Sequence, residues 1–104
     1  MAHLSASTLT FTPRWSDLSD DEQTAETAKA LEIVASFGGT IHAQYVLVTD
    51  AALLSVIECP DETSAHTSAF AIARRGAFVL ESQTALTLDG LASLQDDIRA
   101  AAGA

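Results

Sequence analysis

The spacing of apolar positions changes several times along this chain, and each change marks an element boundary. From His3 to Phe11, Leu4, Ala6 and Thr8 alternate against Ser5, Ser7 and Leu9, which predicts a strand. Thr12-Pro13-Arg14-Trp15-Ser16 breaks it, because proline has no amide to donate to a ladder. Ser19-Asp20-Asp21-Glu22 reads as a capping box, and its acidic residues suit the positive end of a helix dipole. Ala30, Ile33, Val34 and Phe37 then follow helical spacing, and Gly38-Gly39 closes the helix near Phe37. Glu26, at the edge of that stripe, is expected to be a solvated carboxylate.

Two apolar runs, Thr40 to Val48 and Ala51 to Ile57, flank the polar break Thr49-Asp50 and predict a β-hairpin. Pro60-Asp61-Glu62 opens a second helix with Asp61 as cap. Its buried stripe is Ala65, Ala69 and Ile72 with Ser68 beside them. His66, Phe70 and Arg74 form another row, four residues apart, on roughly the opposite side. Gly76 ends that helix, and Ala77 to Leu86 reads as a fourth strand. Thr87-Leu88-Asp89 starts a last helix whose Leu91, Leu94 and Ile98 share one face, with Asp96, Asp97 and Arg99 on the other.

The order strand, helix, strand, strand, helix, strand, helix belongs to the α+β class. Its economical solution is a ferredoxin-like βαββαβ fold: a four-stranded antiparallel sheet, two helices on one face, and an extra C-terminal helix. The uncovered face must then meet water, a ligand or another sheet. Neither hairpin strand has a consistently polar face. Ile41, Ala43, Tyr45 and Leu47 alternate with His42, Gln44, Val46 and Val48, and Leu53, Ser55 and Ile57 alternate with Ala52, Leu54 and Val56. A sheet apolar on both faces predicts self-association, as a dimer or larger assembly. Val46, Val48 and Phe70 are the candidate interface residues.

Composition narrows the function. With 104 residues, the chain is expected to be one domain over 1–104, and its 48% hydrophobic content is too high for disorder. A net charge of −9 disfavours nucleic acid and anionic membranes as partners. No apolar run approaches the ~20 residues of a membrane span, and no signal-peptide layout opens the chain, so a cytoplasmic location is the default expectation. The single Cys59 permits neither an internal disulfide nor a cysteine cluster.

Candidate chemistry is sparse. His42 is the histidine inside a predicted strand and is a candidate acid or base, with Glu81 and Tyr45 as further catalytic candidates. In the expected sheet His42 and Glu81 lie on opposite edges, about 14 Å apart at three strand spacings, so they could meet only across a dimer. Trp15, Gln44 and Arg74 are candidate ligand contacts. His66 is read as lacking a carboxylate partner on its helix, and with His3 near the terminus no metal-ligand spacing emerges. Neither a metal nor a cofactor is expected. Cys59 has no basic neighbour to activate it, and neither a nucleophile elbow nor a phosphate loop is present.

Several segments in order resemble the GYD-domain family, small prokaryotic proteins of ferredoxin-like fold. They are Leu9-Thr10-Phe11-Thr12-Pro13, the helix ending in Gly38-Gly39, Tyr45, Val56-Ile57-Glu58-Cys59-Pro60-Asp61, Ala69-Phe70-Ala71-Ile72-Ala73 and Val79-Leu80-Glu81-Ser82. The likeness spans roughly Leu9 to Leu94. It departs at the hairpin turn, where the family's Gly-x-Tyr-Asp is replaced by Thr49-Asp50-Ala51-Ala52. More distantly, the chain resembles dimeric α/β-barrel proteins, which include cofactor-free monooxygenases, isomerases and ligand-binding regulators. The resemblance implies the fold and leaves two functional expectations. The first is a self-associating, non-catalytic module that binds a small molecule or a protein through its sheet face or edge. The second is a cofactor-free enzyme using His42 in a cavity between sheet and helices.

Overall fold

Four strands, β1 (His3–Phe11), β2 (Thr40–Leu47), β3 (Ala52–Cys59) and β4 (Phe78–Thr84), form one antiparallel sheet in the order β2-β3-β1-β4. The computed structural model describes residues 2–103. Between the strands lie a short turn α1 (Pro13–Ser16) and two long helices, α2 (Asp20–Ser36) and α3 (Glu62–Ala73). A last helix, α4 (Leu88–Ala101), follows β4. The α+β class and the ferredoxin-like order are those expected. The fourth strand is shorter than expected, ending at Thr84 rather than Leu86.

The predicted caps form. Ser19 Oγ accepts from the Glu22 amide at 3.2 Å while Glu22 Oε1 accepts from the Ser19 amide at 3.0 Å, closing the capping box. Asp61 Oδ1 accepts from the Ser64 amide at 2.7 Å at the start of α3. These bonds hold the Glu22 and Asp61 carboxyls below their usual range, because each amide favours the ionised oxygen. At the end of α2, Gly38 takes φ +77°, and Gly39 packs so tightly that a β-carbon there would lie 2.6 Å from Val34. The chain can enter β2 at that point only because Gly39 has no side chain.

Residues directly opposite in antiparallel strands share a face, so the register assigns the two sides of the sheet. Ser5 pairs with Ile57 and Thr84, Ser7 with Ser55 and Ser82, and Leu9 with Leu53 and Leu80. Ser5, Ser7 and Leu9 are buried, so this is the side beneath the helices. The other side carries Leu4, Ala6, Thr8 and Thr10 of β1 with Leu54 and Val56 of β3. The core thus runs beneath the serine side of β1, not the leucine–alanine side that composition alone favours.

On β2 the simple alternation fails at a bulge. Ile41 pairs with Ile57 but Ala43 pairs with Val56, which leaves His42 as the extra residue. Beyond the bulge Gln44 and Val46 face the helices, and Ala43, Tyr45 and Leu47 face outward. Ile41 and Tyr45 are therefore on opposite faces.

The core lies at one end of the helix-covered face. Leu9, Ala30, Val34, Ile72, Ala77 and Phe78 are its buried members. Phe11 stacks on Trp15 with ring centroids 4.6 Å apart, and Trp15 meets Phe78 at 5.1 Å. Glu26 is not the solvated carboxylate expected. Its side chain is only 12% exposed and accepts two hydrogen bonds from Arg75, at 2.8 and 2.9 Å. That pair ties α2 to the end of α3 and holds the Glu26 carboxyl below its usual range.

The molecule is elongated, 58 × 30 × 20 Å, with a radius of gyration of 16.1 Å. No residue of α4 is buried, and the helix makes only glancing contact with the rest of the chain.

Candidate functional site

At the end away from the aromatic cluster, the helix-covered face changes character. Here β1 presents Ser5 and Ser7, β4 presents Ser82 and Thr84, and β3 presents Cys59. Above them α3 contributes Ala65, Ser68 and Ala69, all small. Small side chains on both layers leave space where a core would place leucine or isoleucine, and the result is a cleft between α3 and the sheet.

Its inner chamber has a volume of about 60 Å³, and hydroxyl groups line its floor. Ser7 and Ser82 hydroxyls bond each other at 2.8 Å, Ser68 Oγ donates to the Ala65 carbonyl at 2.9 Å, and Ser5 Oγ reaches the Ile57 carbonyl at 3.5 Å. A hydroxyl has one proton and two lone pairs, so each of these groups keeps capacity toward a guest. Beside the chamber, sharing His66, Ala69, Leu80 and Ser82 with it, lies an outer groove of about 200 Å³ also lined by Phe70 and Ala73. His3 and His66 flank the chamber, their rings edge to face at 6.2 Å. The site has a polar interior and an apolar approach.

Its electrostatics are mild. No described residue lining the chamber is a carboxylate, lysine or arginine. Burial pushes the Cys59 thiol up, so it stays protonated and is a poor nucleophile. His66 does have a carboxylate on its helix: Glu62, one turn earlier, lies 3.7 Å from its Nε2. The expectation that it lacked one is corrected. Among the described residues, no three His, Cys, Asp or Glu side chains converge to hold a metal ion.

The sequence candidates fall mostly elsewhere. His42, at the bulge of edge strand β2, sits 3.3 Å from Glu58 in an exposed pair. Glu81 is exposed on the outer side of β4, opposite Thr8, so the sheet separates it from His42 by its full width. Tyr45 is 60% exposed on the outer face. Gln44 is exposed on the helix-facing side of edge strand β2 and donates to Ser55 Oγ at 3.3 Å. Trp15 belongs to the aromatic end, and Arg74 is exposed at the C-cap of α3. Val46 sits on the helix-facing side of the open β2 edge, and Val48 lies in the hairpin turn. Phe70, 72% exposed, borders the groove.

The sequence draws attention to His3, Cys59, His66 and Phe70 and to the small-residue stripe of α3, but not to the strand hydroxyls Ser5, Ser7, Ser82 and Thr84 that floor the cleft. A signal was present: serine at alternate positions on one side of a strand facing a helix stripe of alanine and serine. It points to a cavity only once the buried side of β1 is known.

A comparison with curated proteins found no match. The GYD domain profile matches residues 7–95, from within β1 to the middle of α4, and leaves His3 and Ser5 of the cleft outside the match. The chain belongs to the GYD domain family.

Proposed function

We propose that this protein is a self-associating, non-catalytic binding module that takes a small neutral organic molecule in the α3–β4 cleft. The observation that carries the reading is the set of hydroxyls on the core side of β1 and β4 beneath a small-residue stripe of α3. Burying serine where an aliphatic side chain would pack sacrifices apolar contact, and the return is a chamber able to donate and accept hydrogen bonds. About 60 Å³ accommodates a head group the size of roughly two water molecules. The groove beside Phe70 and Leu80 takes an apolar body. A hydroxyl or carbonyl head on a ring or short alkyl body fits both parts. A carboxylate head is disfavoured, since the chamber offers no lysine or arginine and the whole chain carries −9.

A binding role is favoured over nucleophilic catalysis because the thiol in the lining is held protonated; the acid–base groups at the chamber are His3 and His66, and no carboxylate lines it. Phenol and acetophenone are suitable probes, with benzoate as the charged counterpart. Amide chemical shifts at Ser7, Ser82, Ala69 and Phe70 are expected to move with the neutral probes and hardly at all with benzoate. Ser7→Val should fill the chamber and abolish the response while the fold persists. Shifts scattered over the surface, or unchanged in Ser7→Val, would rule the cleft out as the site.

A further inference from the structure

Resting on the cleft reading above, we infer that the chamber selects guests that donate hydrogen bonds, and that the head group it takes is a primary carboxamide.

The hydroxyl protons decide this. Ser5, Ser7 and Ser68 are each more than nine-tenths buried and line the chamber. A carbonyl oxygen can only accept, so the direction of two bonds is fixed: Ser68 Oγ donates to the Ala65 carbonyl at 2.9 Å, and Ser5 Oγ to that of Ile57 at 3.5 Å. Both serines therefore keep lone pairs, and no proton, for a guest. Ser7 and Ser82 hydroxyls lie 2.8 Å apart, and whichever donates, one of their two protons is used and one is left. The floor thus offers one O–H donor against lone pairs on four oxygens. The remaining lining groups do not reverse that excess. A neutral imidazole carries one donor and one acceptor, so His3 and His66 add equally to both sides, and the Cys59 thiol is a weak donor. Gln83 and Thr84 are exposed at the rim.

A guest that matches this floor donates more hydrogen bonds than it accepts. Neither a carboxylate nor a ketone has a donor, so each sets oxygen against oxygen. An ammonium ion has donors, yet no carboxylate lines the chamber to offset the cost of burying its charge. A primary carboxamide is uncharged, gives two N–H donors to the serine oxygens, and accepts the one free proton at its carbonyl. Its nitrogen and oxygen are two polar atoms for a chamber of about 60 Å³, which has room for roughly two water molecules. An aryl ring on the amide then lies in the groove, against the exposed ring of Phe70.

Benzamide, acetophenone and benzoate have nearly the same shape and differ in one group, which is amino, methyl or an anionic oxygen. Titrations followed by amide chemical shifts at Ser7, Ala69 and Phe70 give their dissociation constants. Benzamide is expected to bind about tenfold tighter than acetophenone or better, the effect of its added hydrogen bonds, with benzoate weaker than both. Ser68→Ala keeps a good helix former in α3 and removes one acceptor. It should bring benzamide down toward acetophenone while acetophenone itself binds nearly as before. Ser5→Ala should act the same way from the strand, and serves if the α3 variant does not fold. A benzamide preference that survives in the folded variants would overturn the inference. Equal or weaker binding of benzamide than of acetophenone would overturn the carboxamide assignment and leave the cleft standing as a site. No response to benzamide, acetophenone or phenol would overturn both.

Discussion

Ala51 closes the hairpin at φ +48°, a conformation in which its β-carbon crowds the following carbonyl. Its amide donates to the Val48 carbonyl at 3.4 Å and its carbonyl accepts from the Phe11 amide at 3.1 Å, so the turn is held despite the strain. Ala51→Gly relieves that crowding, partly offset by the greater freedom of glycine in the unfolded chain. A gain of about 0.5–1 kcal/mol is expected in urea denaturation. Glu26 makes the opposite kind of residue-scale prediction. Its folded pKa lies below the unfolded one, so the stabilisation is present above the unfolded value and disappears as pH falls through the folded one. Glu26→Gln should lower stability by about 1–2 kcal/mol at pH 7, the range between exposed and buried pairs. The difference between parent and variant should shrink as pH drops below ~4.5, the ordinary carboxylate range. A difference that stays constant down to pH 2 would show that the charge is not what matters.

At the scale of elements, the caps, the α2 stripe, the hairpin and the final helix were all legible in the sequence, because local chemistry decides them. Ser19 and Glu22 specify a helix start wherever the chain goes, and Gly38-Gly39 specify its end. The face of β1 was not legible, since Leu4 and Ala6 look more core-like than Ser5 and Ser7. Only the register with β3 and β4 settles which set the helices cover. The bulge at His42 was equally hidden, because it depends on pairing and not on composition. The pairing of Glu26 is hidden for a similar reason: its partner, Arg75, lies 49 residues away. The cleft inherits all of these long-range decisions, which is why His66 and Phe70 were noticed while Ser7 and Ser82 were not.

Two element-scale outcomes follow from the close packing at the start of β2 and beneath α3. Gly39→Ala places a carbon against Val34 and should cost about 1–3 kcal/mol, seen as a shifted denaturation midpoint with an unchanged slope. Cys59, with its thiol pushed up by burial, should react with a thiol reagent in the native protein far more slowly than in denaturant. Because Cys59 is buried in the cleft beneath α3, the residual native rate measures how often α3 lifts from the sheet. Prompt labelling under native conditions would mean that the cleft is open most of the time.

At the scale of the molecule, the one-sided layering matters most. Helices α2 and α3 cover one face of the sheet, and exposed apolar side chains remain on the bare face, on α4 and at Leu31, Phe37 and Phe70 of the helical layer. Membrane insertion through a helix is not an outlet for this surface, since no helix among the described residues is long and apolar enough to cross a bilayer. The elongated outline has a hydrodynamic consequence. A globular chain of this length has a radius of gyration of about 13 Å, whereas this one reaches 16.1 Å. A single copy with α4 extended would therefore diffuse slowly and leave a sizing column early, imitating a heavier particle. Elution volume alone would then overstate its mass, and an absolute mass together with a diffusion coefficient separates shape from association.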